Sequence, residues 1–187
     1  MQKNGKGIAN KEKTEGLEKL QTRDMTFCGM AAALAVVLGM VGKVLPLQLP
    51  QGGSITLETL PIFFMAFWGG WRLGVLTGCL DGVLQLFFGA FIFHPVQVVL
   101  DYPLPFALLG LAGLLPNRVR LGIVVASVLR WCSHFISGFV FFGEYAPEGT
   151  PVWMYAAFYN ASFVIPEALI CIFLVPVLLR RFPPYAR

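Results

Sequence analysis

The feature that most constrains this chain is that residues 25–42 carry no charged side chain and that five further apolar stretches follow. The six stretches are roughly 25–45, 56–71, 73–93, 96–115, 121–142 and 153–179. Each is near the ~20 residues that cross a bilayer core, although the second is short. None alternates polar and apolar residues as a barrel strand does. Lipid offers the backbone no hydrogen-bond partner, so such segments must be helices. Charged residues make up 13% of the chain, against roughly 25% in soluble domains. That is too few to clothe a water-facing surface. A disordered chain, a nucleic-acid module and a disulfide-stapled secreted domain are excluded. Cys28, Cys79, Cys132 and Cys171 each sit in an apolar stretch, with no C-x-x-C pair. They read as small core fillers and not as metal or redox groups.

Charge placement predicts the topology. Residues 1–24 form a polar tail in which Lys3, Lys6, Lys11, Lys13, Lys19 and Arg23 mix with acidic residues. A basic start before an apolar run also suits a signal peptide. Here the run is too long and its small residues lie mid-run, so it reads as the first membrane helix. Splitting 56–93 at Gly69-Gly70-Trp71-Arg72 makes six helices out of five. With six, the tail, Arg72, Arg118, Arg120, Arg180, Arg181 and Arg187 all fall on one side, which is twelve of the 14 Lys and Arg. The exceptions are Lys43 and Arg130. The positive-inside rule then places both termini in the cytoplasm. The expected organisation is a cytoplasmic tail (1–24), one six-helix transmembrane domain (25–182) and a short cytoplasmic end (183–187).

Polar side chains at membrane depth are costly and therefore candidates for function. Glu58, Asp81, Asp101, Arg130, His134, Asn160 and Glu167 stand out. Asp101-Tyr102 precedes Pro103 and Pro105. Either the helix opens there, freeing carbonyls and making room, or a new helix starts after Asp101 and is capped by it. His134 has Arg130 one turn before it and Gly138 one turn after. A lone helical His is more often a structural group. Arg130 is expected to snorkel to the interface or to pair with Asp81. Tyr155 and Tyr159 share a helix face, and Asn160 lies about 140° from Tyr155 at ~100° per residue. Trp153 and Tyr155 equally suit an interfacial aromatic belt. Phe141, Phe142 and Tyr145 end the fifth helix on the same outer side. The uncharged outer link at 46–55, with Pro46, Pro50, Gly52 and Gly53, suits a lid or a plain connector. A carboxylate, an imidazole, an amide, phenols and ring faces together suit a small aromatic cation. No zincin, nucleophile-elbow or Walker motif is present, so no catalytic, metal or cofactor residues are expected.

Several stretches carry a specific resemblance. Q-G-G-S-I-T-L at 51–57 with P-I-F at 61–63, H-P-V-Q-V-V-L-D-Y-P-L-P-F at 94–106, H-F-I-S-G at 134–138, and Tyr145, Tyr155 and Asn160 follow in order. Together they resemble the thiamine-specific S components of energy-coupling-factor (ECF) transporters, over roughly residues 25–182. The resemblance implies an all-α, six-helix membrane bundle of the S-component type in the bacterial cell membrane. It implies a thiamine-binding subunit and not an enzyme. The partners would be a transmembrane coupling subunit and two cytoplasmic ABC ATPases. The substrate contacts it implies are Asp101, Tyr102, His134, Phe142, Tyr155 and Asn160. Some members carry Glu for Asp101 and Trp for Phe142, with another Trp near Gly52. Phe is a weaker cation–π face than Trp, so Phe91 or Trp153 is expected to supplement it. A small-residue face on the first helix is implied as the coupling-subunit contact; Gly29/Ala33 and Ala31/Ala35 both have that spacing. Two other readings are an S component for biotin, riboflavin or a thiamine precursor, and an intramembrane hydrolase using His134 with Ser137 or Ser133. The hydrolase is disfavoured, since Ser and His three apart on one helix do not form an attack geometry.

Overall fold

The computed structural model describes residues 20–44, 49, 52–182 and 185. Expectations for the tail before Leu20, for much of the 46–55 link and for most of 183–187 lie outside the described residues. Helix α1 spans Thr22–Val44, α2 Thr59–Trp68 and α3 Trp71–Gln85. Helices α4 (Pro95–Asp101) and α5 (Pro103–Leu109), with a 3-10 turn at Gly110–Leu114, form one broken rod. Helix α6 spans Val119–Phe141 and α7 Val152–Arg181. The described chain is thus six helical segments, nearly all α. Four of them are long and apolar enough to cross a membrane: α1, the broken rod, α6 and α7.

The second and third segments are shorter than their apolar stretches. At 1.5 Å per residue α2 is only about 15 Å long. It starts only at Thr59, and just ahead of it Thr56 N–H and hydroxyl both donate to Glu167 on α7. Buried Thr59, Ile62, Phe63, Met65, Ala66 and Phe67 cover more than half of the circumference of α2, and Leu60, Phe64 and Trp68 form a half-buried stripe on the rest. It ends at Gly69-Gly70, where Gly70 takes φ 91° and turns the chain into α3. Helix α3 stops at Gln85 and does not run on to 93. The following loop has its own side-chain partners. Phe91 N–H donates to the Tyr102 hydroxyl (2.6 Å), Phe93 N–H to Gln97 Oε1 (3.0 Å), and Gln97 Nε2 to the Phe91 carbonyl (3.0 Å).

Helix α4 restarts with a capping box. His94 Nδ1 accepts from Val96 N–H, while Gln97 accepts from His94 N–H, with Pro95 at the first helical position. The rod breaks at Tyr102 (φ −118°, ψ −82°), because Pro103 begins α5 and has no N–H to continue the ladder. Asp101 is therefore the last residue of α4, and it does not cap α5.

Close packing of α3 against the broken rod depends on glycine. A Cβ on Gly78 would run into the backbone of Phe106, and one on Gly82 into that of Tyr102. The main apolar core lies between α2, α5, α6 and α7, with Phe63, Phe67, Phe106, Leu109, Ile123 and Val175 buried. At one end of the bundle, Tyr185 N–H donates to the Trp68 carbonyl (2.8 Å) and the Arg23 guanidinium lies 4.6 Å from the Tyr185 ring centroid. The two ends of the described chain thus meet beside the Gly69-Gly70 turn.

Helix α1 separates the two small-residue pairs. Gly29 and Ala33 face outward, and nothing lies within 4 Å of a Cβ built on Gly29. Ala35 is fully buried and Ala31 packs on Met65 and Leu73. Of the two expected faces, Ala31/Ala35 is therefore used inside the bundle and only Gly29/Ala33 is exposed. Gly78→Leu is expected to cost about 3 kcal/mol or more, since backbone must move to admit it. Gly29→Leu should leave the detergent-purified chain as stable as before. Thermal unfolding of both variants checks this, and equal melting curves would contradict backbone-close packing at α3.

Candidate functional site

The opening left by the broken rod is where the buried polar groups converge. A cavity there is walled by residues 52–54, Glu58, the end of α3 and the 86–94 loop, together with α4–α5, α6 and the first half of α7. Much of this wall is non-helical backbone, which is tolerated at membrane depth only where it lines a cavity or is buried in protein.

Asp101 is held from three directions. Oδ2 accepts from Gln97 Nε2 (2.8 Å) and from the Ser137 hydroxyl (2.8 Å), and Oδ1 lies 3.2 Å from His134 Nδ1. The tautomer of His134 follows from its other neighbour. Arg130 Nε, which can only donate, lies 3.3 Å from His134 Nε2. Nε2 therefore accepts, and Nδ1 carries the proton that it donates to Asp101. Arg130 is buried and its Nη1 is bonded to Glu167 Oε2 at 2.5 Å, while Nη2 lies 4.0 Å from Glu58 Oε1. The guanidinium also lies 4.7 Å from the centroid of the Phe106 ring. This corrects the expectation that Arg130 snorkels or pairs with Asp81. A carboxylate at the same depth was available on α7, and Asp81 instead accepts from Gln85 Nε2 (2.9 Å).

Asn160 spends its amide on the carbonyls of His134 (3.2 Å) and Ala156 (2.8 Å), which leaves its oxygen for the cavity it lines. Tyr102 props the 86–94 loop through its hydroxyl and presents its ring. The rings of Phe142 and Phe91 stand 5.7 Å apart, and those of Tyr155 and Tyr159 5.8 Å apart. The Tyr159 hydroxyl accepts from Gly53 N–H (3.0 Å), tying residues 52–54 to α7.

Asp101, Tyr102, His134, Phe142, Tyr155, Asn160, Phe91 and Gly52 all line this one cavity. Trp153 does not. It is 54% exposed on the outside of α7, which suits the interfacial belt. Sequence reasoning singled out Glu58, Arg130 and Tyr159 without assigning them to the site, and missed Gln97, Gly138 and Phe163 as wall residues. The available signal was Arg130 and Glu167, opposite charges in apolar runs that have to find partners at membrane depth.

The chemistry is that of binding. Two carboxylates line the cavity beside one guanidinium, and that guanidinium is bonded to a third carboxylate behind the wall. The formal surplus is negative and the remaining wall is rich in rings, so a compact aromatic cation is favoured. Ser137 donates to Asp101 and Ser133 to the Leu100 carbonyl (2.7 Å). Both serine hydroxyls are thus engaged away from His134, and the hydrolase geometry does not form.

Comparison with known proteins identifies the family and the fold. The family model described as "Thiamine transporter protein (Thia_YuaJ)" matches residues 25–186. The thiamine transporter ThiT of Bacillus subtilis (strain 168) is 39% identical over an alignment of 168 residues that covers 81% of this chain and 87% of that protein. The thiamine transporter ThiT of Lacticaseibacillus paracasei is 34% identical over 126 residues, covering 59% and 63% respectively. A solved structure of ThiT from Listeria monocytogenes superposes with a TM-score of 0.77 over 86% of this chain and 94% of that one, at 23% identity, and so shares the fold. On the extent of the family match and the identity to its curated relative, the chain belongs to the thiamine transporter protein family.

Proposed function

We propose that this chain is the membrane-embedded, high-affinity thiamine-binding S component of an ECF-type ABC transporter. It takes up thiamine together with a transmembrane coupling subunit and two cytoplasmic ATPases, which hydrolyse the ATP. It resides in the cell membrane with both termini cytoplasmic, so the cavity opens outward. The observation that supports this reading best is the negative surplus around Asp101, enclosed by ring faces and a fixed imidazole. Thiamine is a cation with one charged and one neutral heteroaromatic ring. Asp101, Tyr102, His134, Phe142, Tyr155 and Asn160 are its proposed contacts, with Phe91 and the backbone at Gly52 beside them. The carboxylate of Asp101 pairs with the cation or accepts from the exocyclic amine, and the Asn160 oxygen is a second acceptor. Phe91, 5.7 Å from Phe142, supplies a second ring where the family's larger Trp is absent. The exposed Gly29/Ala33 face of α1 is the proposed seat of the coupling subunit, because small residues let helices approach closely in lipid.

Radiolabelled thiamine should bind the detergent-purified chain, and the isolated pyrimidine and thiazole halves should compete weakly. Stronger competition by another vitamin would redirect the assignment. Asp101→Asn and His134→Ala should each weaken binding by about 1–3 kcal/mol, the usual cost of losing a buried or charged hydrogen-bond partner. Unchanged titrations for both would remove these residues from the site. None of the four tryptophans lines the cavity, so tryptophan quenching by thiamine should be small. For topology, a cysteine at Glu148 should react with an impermeant maleimide on intact cells, and one at Arg118 only after permeabilisation. The reverse pattern would overturn the orientation.

A further inference from the structure

Glu167 does not line the cavity, yet it joins two parts that do. It is 1% exposed, on α7. Its Oε1 accepts from Thr56 N–H (2.9 Å) and from the Thr56 hydroxyl (3.0 Å), and its Oε2 accepts from Arg130 Nη1. Thr56 lies just past residues 52–54, which wall the cavity on its outer-link side. Arg130 in turn fixes the acceptor face of His134, and His134 donates to Asp101. A continuous chain of polar contacts therefore runs from the root of the outer link to the carboxylate at the heart of the cavity, and Glu167 is its middle member.

The electrostatics give that arrangement a consequence. A buried ion pair is stable only when the remaining lone pairs of the carboxylate are satisfied. Here both outside donors come from one residue, Thr56. If the link lifts at its root, Glu167 loses two donors at once and its hold on Arg130 is altered. If Arg130 moves, the His134–Asp101 couple loses the group that sets its tautomer. Neighbouring contacts extend the same seam between the link, α2 and α7. Gly53 N–H donates to Tyr159, and the Thr59 hydroxyl lies 3.3 Å from Cys171 Sγ.

We propose that Glu167 is a positioning residue for the bound ligand, the shared anchor through which seating of residues 52–56 and orientation of His134 and Asp101 stabilise each other. This rests on the reading of the cavity as a thiamine site. Coupling of this kind is reciprocal: a ligand that fixes Asp101 and His134 also tightens Thr56 on Glu167, and the reverse.

The test uses the full chain in detergent with Glu167→Gln, Thr56→Val and the double substitution. Thiamine dissociation should quicken about tenfold or more in Glu167→Gln, as for loss of a charge-assisted hydrogen bond. Thr56→Val keeps its backbone donor and should quicken it less. The double variant should be no faster than Glu167→Gln, because both changes break one linkage. Amide hydrogen exchange over 52–58 should speed up in both single variants without ligand, and thiamine should protect that segment more in the wild type than in Glu167→Gln. Unchanged dissociation in both, or effects that simply add alongside a lowered melting temperature, would reduce Glu167 to a structural brace and overturn the proposal. If Glu167→Gln does not fold, the dissociation rate and exchange of Thr56→Val decide alone. If the wild type binds no thiamine, the ligand assignment fails. The ligand-free exchange then still decides on the anchor: faster exchange over 52–58 upholds it, and unchanged exchange overturns it.

Discussion

The Arg130–Glu167 pair is the interaction on which the rest of this bundle depends. A guanidinium inside a membrane protein has to be paired, because neither lipid nor an apolar core solvates it. Arg130 meets that requirement with Glu167 and leans on the ring of Phe106. Its Nε then remains to fix His134, and His134 is what orients toward Asp101. Glu167, for its part, holds Thr56, three residues ahead of the start of α2. One ion pair thereby ties the arrangement of the ligand-facing groups to the segment that leads into α2.

The second constraint is the backbone itself. Helices α2 and α3 are too short to span, and the fourth segment is broken at Tyr102. In lipid such breaks would leave backbone groups without partners. Here side chains supply them: Gln97 and Tyr102 serve the 86–94 loop, Tyr159 serves Gly53, and Glu167 serves Thr56. The places where the helical pattern fails are the places where the cavity is walled. Among the residues that look expensive at membrane depth, Glu167 completes the hydrogen bonding of interrupted backbone, while Asp101, His134 and Arg130 bond one another.

This division explains what could be read from the sequence. The apolar runs and the Gly69-Gly70 turn delimit the segments, because lipid burial and a positive φ act locally. The Asp101–Tyr102–Pro103 break was legible as one of two readings, since proline excludes a continuous ladder wherever it sits. Gathering of Asp101, His134, Tyr155 and Asn160 around one space was foreseen mainly through resemblance to a family, as nothing in their spacing brings α4, α6 and α7 together. The partner of Arg130 was not legible. Asp81 and Glu167 are equally acidic, and only the packing of α6 on α7 selects between them. Nor did the spacing of Gly29/Ala33 and Ala31/Ala35 reveal which pair faces inward, because both lie on the same helix with the same period. The early end of α3 is followed by a loop bonded to Tyr102 and Gln97, which a local pattern does not record.

A structure of the chain loaded with thiamine tests the account most directly. The account predicts density for the ligand in the cavity against Asp101, Asn160 and Phe142, with Arg130 still bonded to Glu167 and His134 still directed at Asp101. Density outside this cavity, or an Arg130 released from Glu167 to contact the ligand itself, would contradict it.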